Sequence, residues 1–494
     1  MNTTNLLTRS SFLLCATLLL SACATTPPDT AKALIEQQLS ARYPTAKLSA
    51  TAPVLANKTL GLDDAVQTLL GKSPQVRIEL AQLGIANAQQ LQAELISNPH
   101  ISLGALRPED GGRWQLDAGL SLPLLELFTR PLRREMAQEN LLSTQLHLQD
   151  KLQKLIAKTS TAYYSAIAAQ QHLQVARTMF DATRARQQLA DSMYRAGNLS
   201  ENNFLFYDNE LRRVQQQVKQ RELKAQKSYL KLLNVIGLDS TQVVILPTQL
   251  PLLPSDDFSH ATLFAQAQSD RLDLQIVQQQ SRLLEQRSNL LRKENGWRDM
   301  TIGVNAEREF DGAKNIGPEI ELALPLFNRN QGKLATVTAQ LEKNKAQLDQ
   351  LRLNTDSEIA QALNQMQSSR SQLELITSSL QVAGKRVLLS NREVNFMLSS
   401  PLELLDIKRQ EIQLAHDYTN ELAAYWQART QLELAIGRAL PTSESIKHNG
   451  MDHSKMDHGD THHDHMNHKE MDHSNMNHAD HTNAASEHEE HHHD

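Results

Sequence analysis

Two stretches about 200 residues apart decide the fold. The first is Ile101-Ser102-Leu103-Gly104-Ala105, a turn at Pro108-Glu109-Asp110-Gly111-Gly112, then Trp114-Gln115-Leu116-Asp117-Ala118-Gly119-Leu120-Ser121-Leu122-Pro123. The second is Met300-Thr301-Ile302-Gly303-Val304, a turn at Asp311-Gly312, then Ile316, Ile320, Leu322 and Leu324 before Pro325. Apolar residues alternate with polar or small ones in both. A period of two gives a strand one apolar face and one polar face. Segments near ten residues suit tilted barrel strands, with lipid outside and water inside. A soluble hairpin packed on a helix is the alternative at this point.

The two stretches belong to a longer repeat. Ser121-Leu122-Pro123-Leu124-Leu125 returns as Ala323-Leu324-Pro325-Leu326-Phe327, 202 residues on. Leu232-Leu233-Asn234-Val235-Ile236-Gly237 returns as Leu432-Glu433-Leu434-Ala435-Ile436-Gly437, 200 residues on. Each half starts with a helix, expected over Asp63 to Ser97 and over His260 to Asn295. Asp63 or Asp64 is expected to cap the first. The strand pair follows, then a long helical hairpin. From Arg130 to Arg195 and from Lys333 to Asn395 the only Gly is Gly384, and the only Pro is Pro131, placed where a helix can start. Such helices reach roughly 100 Å at 1.5 Å per residue. Leu148, Leu152, Leu155, Tyr163 and Ile167, and then Leu334, Val337, Leu341, Leu348 and Leu351, recur at steps that suit coiled-coil packing. The chain turns at Gly197-Asn198 and at Ser399-Ser400-Pro401. It returns through Leu205–Ile236 and Leu402–Ile436, each ending before a glycine.

The N-terminus reads as an address. Met1–Arg9 carries one basic residue, Phe12–Leu20 is apolar, and Leu20-Ser21-Ala22-Cys23 follows. This is the layout of a secretory signal, and the apolar run is too short to span a membrane. Leu-Ser-Ala-Cys resembles a bacterial lipobox. That resemblance implies an acylated Cys23 at the mature N-terminus, with Cys15 removed. Ala24, where an Asp is absent, fits outer-membrane sorting by the same resemblance. No other stretch reaches 18 consecutive apolar residues. A chain that still spans a membrane must then do so as a β-barrel.

The 494 residues carry a net charge of −6, distributed unevenly. From His448 to Asp494 there are 14 of the 19 His, 5 of the 12 Met, and 11 acids against 2 lysines, or −9. The rest, with 48 bases against 45 acids, is +3 and shows no basic face, so no nucleic-acid partner is expected. Low Gly (18) and Pro (16) and 4% aromatics disfavour a compact α/β enzyme or a β-sandwich. The body histidines His100, His147, His172, His260 and His416 are scattered, and no phosphate loop or nucleophile elbow appears, so no catalysis is expected.

Signal, helix, strand pair, hairpin, linker and the same again resemble the TolC-like outer membrane efflux family over about Thr59 to Leu440. Asn98-Pro99, the Leu-Pro-Leu sites at Pro123 and Pro325, and Arg195-x-Gly197-x-Leu199-Ser200-x-x-Asn203 carry the likeness. Asn203 departs from the family's frequent Asp. The resemblance implies a mixed α+β membrane protein of two tandem repeats. Three protomers would form a twelve-stranded outer-membrane barrel continued by a helical periplasmic tunnel. It further implies a passive duct of a Gram-negative outer membrane that docks on a periplasmic adaptor and an RND-type inner-membrane pump. Arg195, Gly197, Leu199, Ser200, Asn203, Pro401 and Leu402 would form the docking tips, and Glu403 and Asp406 the aperture gate. Domains are expected at 1–22 (signal), 23–58 (lipidated linker), 59–237 and 260–440 (repeats), 238–259 (linker) and 441–494 (tail). A periplasmic coiled-coil adaptor or metal-storage lipoprotein is the alternative.

The tail steps by five residues through Met451 and His453, Met456 and His458, Met466 and His468, Met471 and His473, and Met476 and His478. His462, His463 and His465 lie between. These thirteen side chains are the expected metal ligands. Such polar sequence is expected to be disordered. Thioether suits Cu(I) and imidazole suits Cu(II), Zn(II) and Ni(II). Together they point to copper, with silver, nickel and zinc open. No other cofactor is expected beyond the lipid on Cys23.

Overall fold

The computed structural model describes residues 29–48, 58–109, 111–255, 257–294, 300–321 and 326–441. The chain divides into two units, Met1–Ile446 and Lys447–Asp494. Cys23 and Pro325 lie outside the described residues. So do all the expected tail ligands, namely Met451, His453, Met456, His458, His462, His463, His465, Met466, His468, Met471, His473, Met476 and His478, together with the disorder expected of them.

The first unit is mostly helical with one small sheet. In chain order it runs α1 (Asp29–Arg42), α2 (Leu62–Lys72), α3 (Pro74–Glu94), β1 (His100–Leu106), β2 (Gln115–Pro123), α4 (Leu124–Arg195) and α5 (Glu201–Ile236). The second half follows the same plan: α6 (His260–Asp270), α7 (Leu272–Glu294), β3 (Thr301–Arg308), β4 (Lys314–Glu321), α8 (Gln331–Asn395) and α9 (Pro401–Ile436). The strands form one antiparallel sheet in the order β1-β2-β3-β4. β2 pairs with β3, so the two repeats share a single sheet.

Each expected leading helix is two helices. The first breaks at Ser73 (φ −64°, ψ 127°), because Pro74 excludes the helical region for the residue before it. The second breaks at Arg271 (φ −66°, ψ 121°) without a proline. Arg271 is buried there. It donates to the Ala435 carbonyl at 3.1 Å and pairs with Asp273 at 2.6 Å and Glu358 at 2.5 Å. Both breaks lie against the ends of the returning hairpin arms. A Cβ on Gly237 would sit 2.6 Å from Ser73 Cα, and one on Gly437 2.9 Å from the Asp270 carbonyl oxygen. The cap of α2 is Gly61, not Asp63 or Asp64. Asp64 instead accepts the Gly61 N–H at 3.4 Å and pairs with Lys58 at 2.8 Å.

The hairpin arms α4 and α8 hold 72 and 65 residues. α4 starts at Leu124 rather than Arg130, so Pro131 is inside it. There it removes one backbone hydrogen bond, and nearby Arg133 donates to the Glu126 carbonyl at 2.8 Å. Leu148, Leu152, Tyr163 and Ile167 are buried as the spacing implies. On α8 only Val337 of the five expected seam residues is buried. The α8 seam runs instead through Thr355, Ile359, Ala362, Met366, Ser369, Leu373 and Leu380.

The main core lies where the arms return. Tyr163, Tyr164 and Ile167 of α4 meet Leu232, Leu233 and Ile236 of α5 and Tyr425, Trp426, Leu432 and Ile436 of α9. The 238–259 linker packs on this core through Leu246, Leu250 and Leu253, and the Trp426 indole donates to the Pro251 carbonyl at 2.8 Å. Within 23–58, α1 buries Ile35 and Leu39 against Leu148 and Leu152. Its Arg42 donates to the Gly437 carbonyl at 3.1 Å, which ties the segment to the second hairpin's end.

Candidate functional site

The sheet register defines two faces. Ile101 lies opposite Leu120, Leu120 opposite Val304, Leu122 opposite Ile302, and Ile302 opposite Ile320. Leu103, Leu116 and Ile316 share that side. Leu103 is 81% exposed and Ile316 78%, and none of the described residues covers this apolar face. A soluble sheet would bury such a face; the soluble-hairpin alternative needs a helix on it, and none of the described helices packs there. The other face carries Ser102, Asp117, Ser121, Asn305, Glu307 and Glu319, with Asp117 directly opposite Glu307. Among the described residues no helix is long and apolar enough to cross a membrane.

The hairpin tips are closed by matching devices. Ser200 Oγ accepts the Asn203 N–H at 3.4 Å, and Ser400 Oγ accepts the Leu402 N–H at 3.2 Å. Pro401 occupies the first turn of α9, where its missing N–H costs nothing. Arg195 is exposed and paired with Asp191 at 2.9 Å. Gly197 is left-handed (φ 77°), and the same place in the second tip is taken by Met397 (φ 57°). Leu199 and Leu402 are half-buried. The second tip presents Phe396, Met397 and Leu398, all strongly exposed, where the first presents Ala196, Gly197 and Asn198. Sequence reading passed over these three; a run of large apolar residues at a chain reversal was the available signal.

Near the tip, the two expected gate acids have different surroundings. Glu403 is exposed and accepts from the Ser399 hydroxyl at 2.9 Å. Asp406 pairs with Arg186 of α4 at 2.8 Å and with Arg409 at 3.3 Å. Arg186 also pairs with Glu210 of α5 at 3.0 Å, and Arg409 with Glu210 at 2.8 Å. Arg186 and Glu210 are buried, and the Arg186 guanidinium lies 4.6 Å from the Tyr207 ring. Two arginines and two carboxylates thus join both arms of the first hairpin to the returning arm of the second. Arg186 lies nine residues from the end of α4, about 14 Å above the tip.

Two histidines that looked scattered meet. The rings of His172 (α4) and His416 (α9) are 4.5 Å apart. His416 Nε2 accepts from Arg221 of α5 at 3.1 Å and borders a cavity of 380 Å³ with Met179, Val214 and Ile412. His172 is 4% exposed, and its Nδ1 has no partner among the described residues. Burial, then the His416, Arg221 and Lys224 charges, push its pKa down to about 3. The folded chain therefore holds His172 neutral while the unfolded chain protonates it near pH 6.5. Its stabilising contribution is complete above pH 6.5 and falls as pH drops toward 3. By pH 5 the loss is about 2 kcal/mol. Glu433, pushed up to about 7 mainly by burial, gains a similar amount as pH falls from 7 toward 4.5 and offsets this loss in the intact protein. His172→Phe should keep the Glu433 effect and lose the His172 effect. Urea unfolding of both proteins at neutral pH and near pH 5 measures the difference; an equal acid shift in both rejects the assignment.

A four-stranded half-apolar sheet thus continues into paired long hairpins, written twice along the chain. No protein-family model matches the chain. It is 22% identical over 399 residues to the cobalt-zinc-cadmium resistance protein CzcC of Cupriavidus metallidurans, covering 78% of this chain and 93% of CzcC. Among solved structures, the Campylobacter jejuni CmeC outer membrane channel superposes with a TM-score of 0.64 at 12% identity, covering 81% of this chain and 92% of CmeC. CusC, whose structures describe transmembrane channel formation, gives 0.60 at 15% identity, covering 78% and 97%. The chain has the fold of the TolC-like outer-membrane channels.

Proposed function

We propose that this protein is the outer-membrane exit duct of a tripartite efflux system. The uncovered apolar sheet face carries the reading, because only lipid or further strands of the same kind satisfy it. Four strands per protomer make a twelve-stranded barrel when three protomers close it, and closure removes the β1 and β4 edges. Exposed apolar residues at seven-residue steps, Leu375, Val382 and Leu389 on α8 and Leu223 and Leu230 on α5, supply seams for neighbouring copies. The duct does no chemistry. It opens when its tips, including Phe396 to Leu398, dock on a periplasmic adaptor served by an inner-membrane pump.

Metal cations are the proposed cargo. The polar sheet face carries Asp117, Glu307, Glu319 and Glu321 and, among the described strand residues, no Lys or Arg. An acidic lining favours cations over anions. The likeness to CzcC and CusC and the Met/His tail point the same way, and the tail's thioethers favour copper. Cys23 is the proposed lipid anchor. The tail is a proposed periplasmic metal collector, with the imidazoles of His453, His458, His468, His473 and His478 each two residues from a Met thioether. Two hairpins joined by one sheet disfavour the adaptor alternative.

A deletion strain complemented with the full chain, or with a chain stopped after Leu440, tests the cargo. The full chain should restore copper tolerance, and the shortened chain should restore it only in part. Complete rescue by the shortened chain removes the tail from the argument. A soluble monomer, in place of a heat-modifiable trimer in outer-membrane fractions, overturns the duct itself.

A further inference from the structure

The strand charges are sorted by face. The acids lie on the polar face, and the bases lie on the apolar one, all at the end of the sheet remote from the helices. Arg308 and Lys314 are direct cross-strand partners, with Leu116 on the other side of Arg308. Just beyond the β1 end, Arg107 sets its guanidinium 5.7 Å from the Trp114 indole. Arg308 and Lys314 are exposed and Arg107 lies at the surface, and none of the three pairs with a carboxylate among the described residues. The other end of the sheet differs. There Arg133 pairs with Glu126 and Arg134 with Glu94, and Arg130 donates to the Glu94 carbonyl.

We propose that Arg107, Arg308 and Lys314 form a collar that binds the phosphates of lipid headgroups in the outer leaflet. The inference rests on the exit-duct reading, which puts the apolar face in lipid and the 107–114 and 309–313 loops outside. A side chain that continues the lipid-facing rows past the last apolar residue then meets the headgroup layer. Guanidinium and ammonium groups without a carboxylate there face phosphate, and arginine's planar fork matches its oxygens. Trp114 sits where indoles gather at a membrane interface and holds Arg107 by its ring face. The polar-face acids do not compete, because the strand parity keeps them on the opposite side of the sheet.

The test is native mass spectrometry of the full-length trimer in detergent, titrated with bis-phosphorylated lipid A and with the same lipid after phosphatase treatment. The wild-type trimer should bind the phosphorylated lipid roughly tenfold more tightly. The combined Arg107→Gln, Arg308→Gln and Lys314→Gln variant should lose that preference. Millimolar inorganic phosphate should leave lipid binding intact; displacement by it means a free-anion site and overturns the lipid assignment. Equal preference in variant and wild type overturns the collar. Trimer state and single-channel conductance are measured on the same preparations. A conducting trimer with no phosphate preference rejects the collar alone, whereas absence of a trimer or pore rejects the duct and the collar with it.

Discussion

Replacing Arg186 with methionine should destabilise the protomer by about 3 kcal/mol and make the closed channel leak. Arg186 is buried between two carboxylates from different helices, Glu210 at 3.0 Å and Asp406 at 2.8 Å. Methionine fills much of the volume but leaves Glu210 buried with Arg409 as its close partner. A carboxylate stripped of half its compensation in a dry setting is the expensive state, more so than no charge at all. Arg186→Met combined with Glu210→Gln should therefore recover most of the stability. It should not recover closure, because Asp406 still has no tie to the first hairpin. Asp406→Asn alone should leak for the same reason, at a smaller stability cost, since Asp406 is far more exposed than Glu210. Single-channel recordings and thermal unfolding separate the two effects. Unchanged conductance in Arg186→Met and Asp406→Asn would sink the part of this ion-pair cluster in closure, and with it the role of Asp406 in the gate.

Three left-handed glycines give the second prediction. Gly197, Gly237 and Gly437 have nearly equal φ, 77°, 80° and 80°, so alanine meets a similar backbone penalty at each, about 1 kcal/mol. Their surroundings differ. Nothing lies within 4 Å of a Cβ at Gly197. At Gly437 it would meet the Asp270 carbonyl oxygen at 2.9 Å and its carbon at 3.0 Å. At Gly237 it would meet Ser73 Cα at 2.6 Å, Ser73 N at 2.8 Å and the Lys72 carbonyl carbon at 2.9 Å. The obstacles at the last two are main chain, which cannot rotate away. Gly197→Ala should cost about 1 kcal/mol, Gly437→Ala about 2 to 3, and Gly237→Ala about 4, as overpacking adds to strain. Thermal unfolding of the three variants checks the order. Equal losses would mean that φ alone matters and that the helix breaks do not need the close approach.

Much of this fold is legible along the chain. Period two marked the strands through Leu116, Ala118, Leu120 and Leu122, and the matching Leu-Pro-Leu and Ile-Gly segments showed the plan twice. Gly237 and Gly437 marked the helix ends, and Ser200 and Ser400 lay at the turns. These signals are local. They depend on side chains two, three or four positions apart, which the backbone itself brings together.

What the sequence by itself determined is therefore the inventory and its order: two repeats, an amphipathic strand pair in each, very long hairpins and a chemically distinct tail. The tertiary structure decided the rest. The helix break at Ser73 follows locally from Pro74, but the break at Arg271, which has no proline after it, lies where Gly437 packs against Asp270 and Arg271. Asp406 looked like a free gate carboxylate until Arg186, 220 residues away, came within 2.8 Å. His172 and His416 seemed unrelated until α4 and α9 packed together. Period two alone puts Arg308 with Val304 and Lys314 with Ile316, but only the β2–β3 register sets them on the same side as Leu116 and Leu120, since a slip of one residue would have reversed that. Contacts across 200 residues depend on how helices dock, and docking is set by whole faces rather than by any window of sequence.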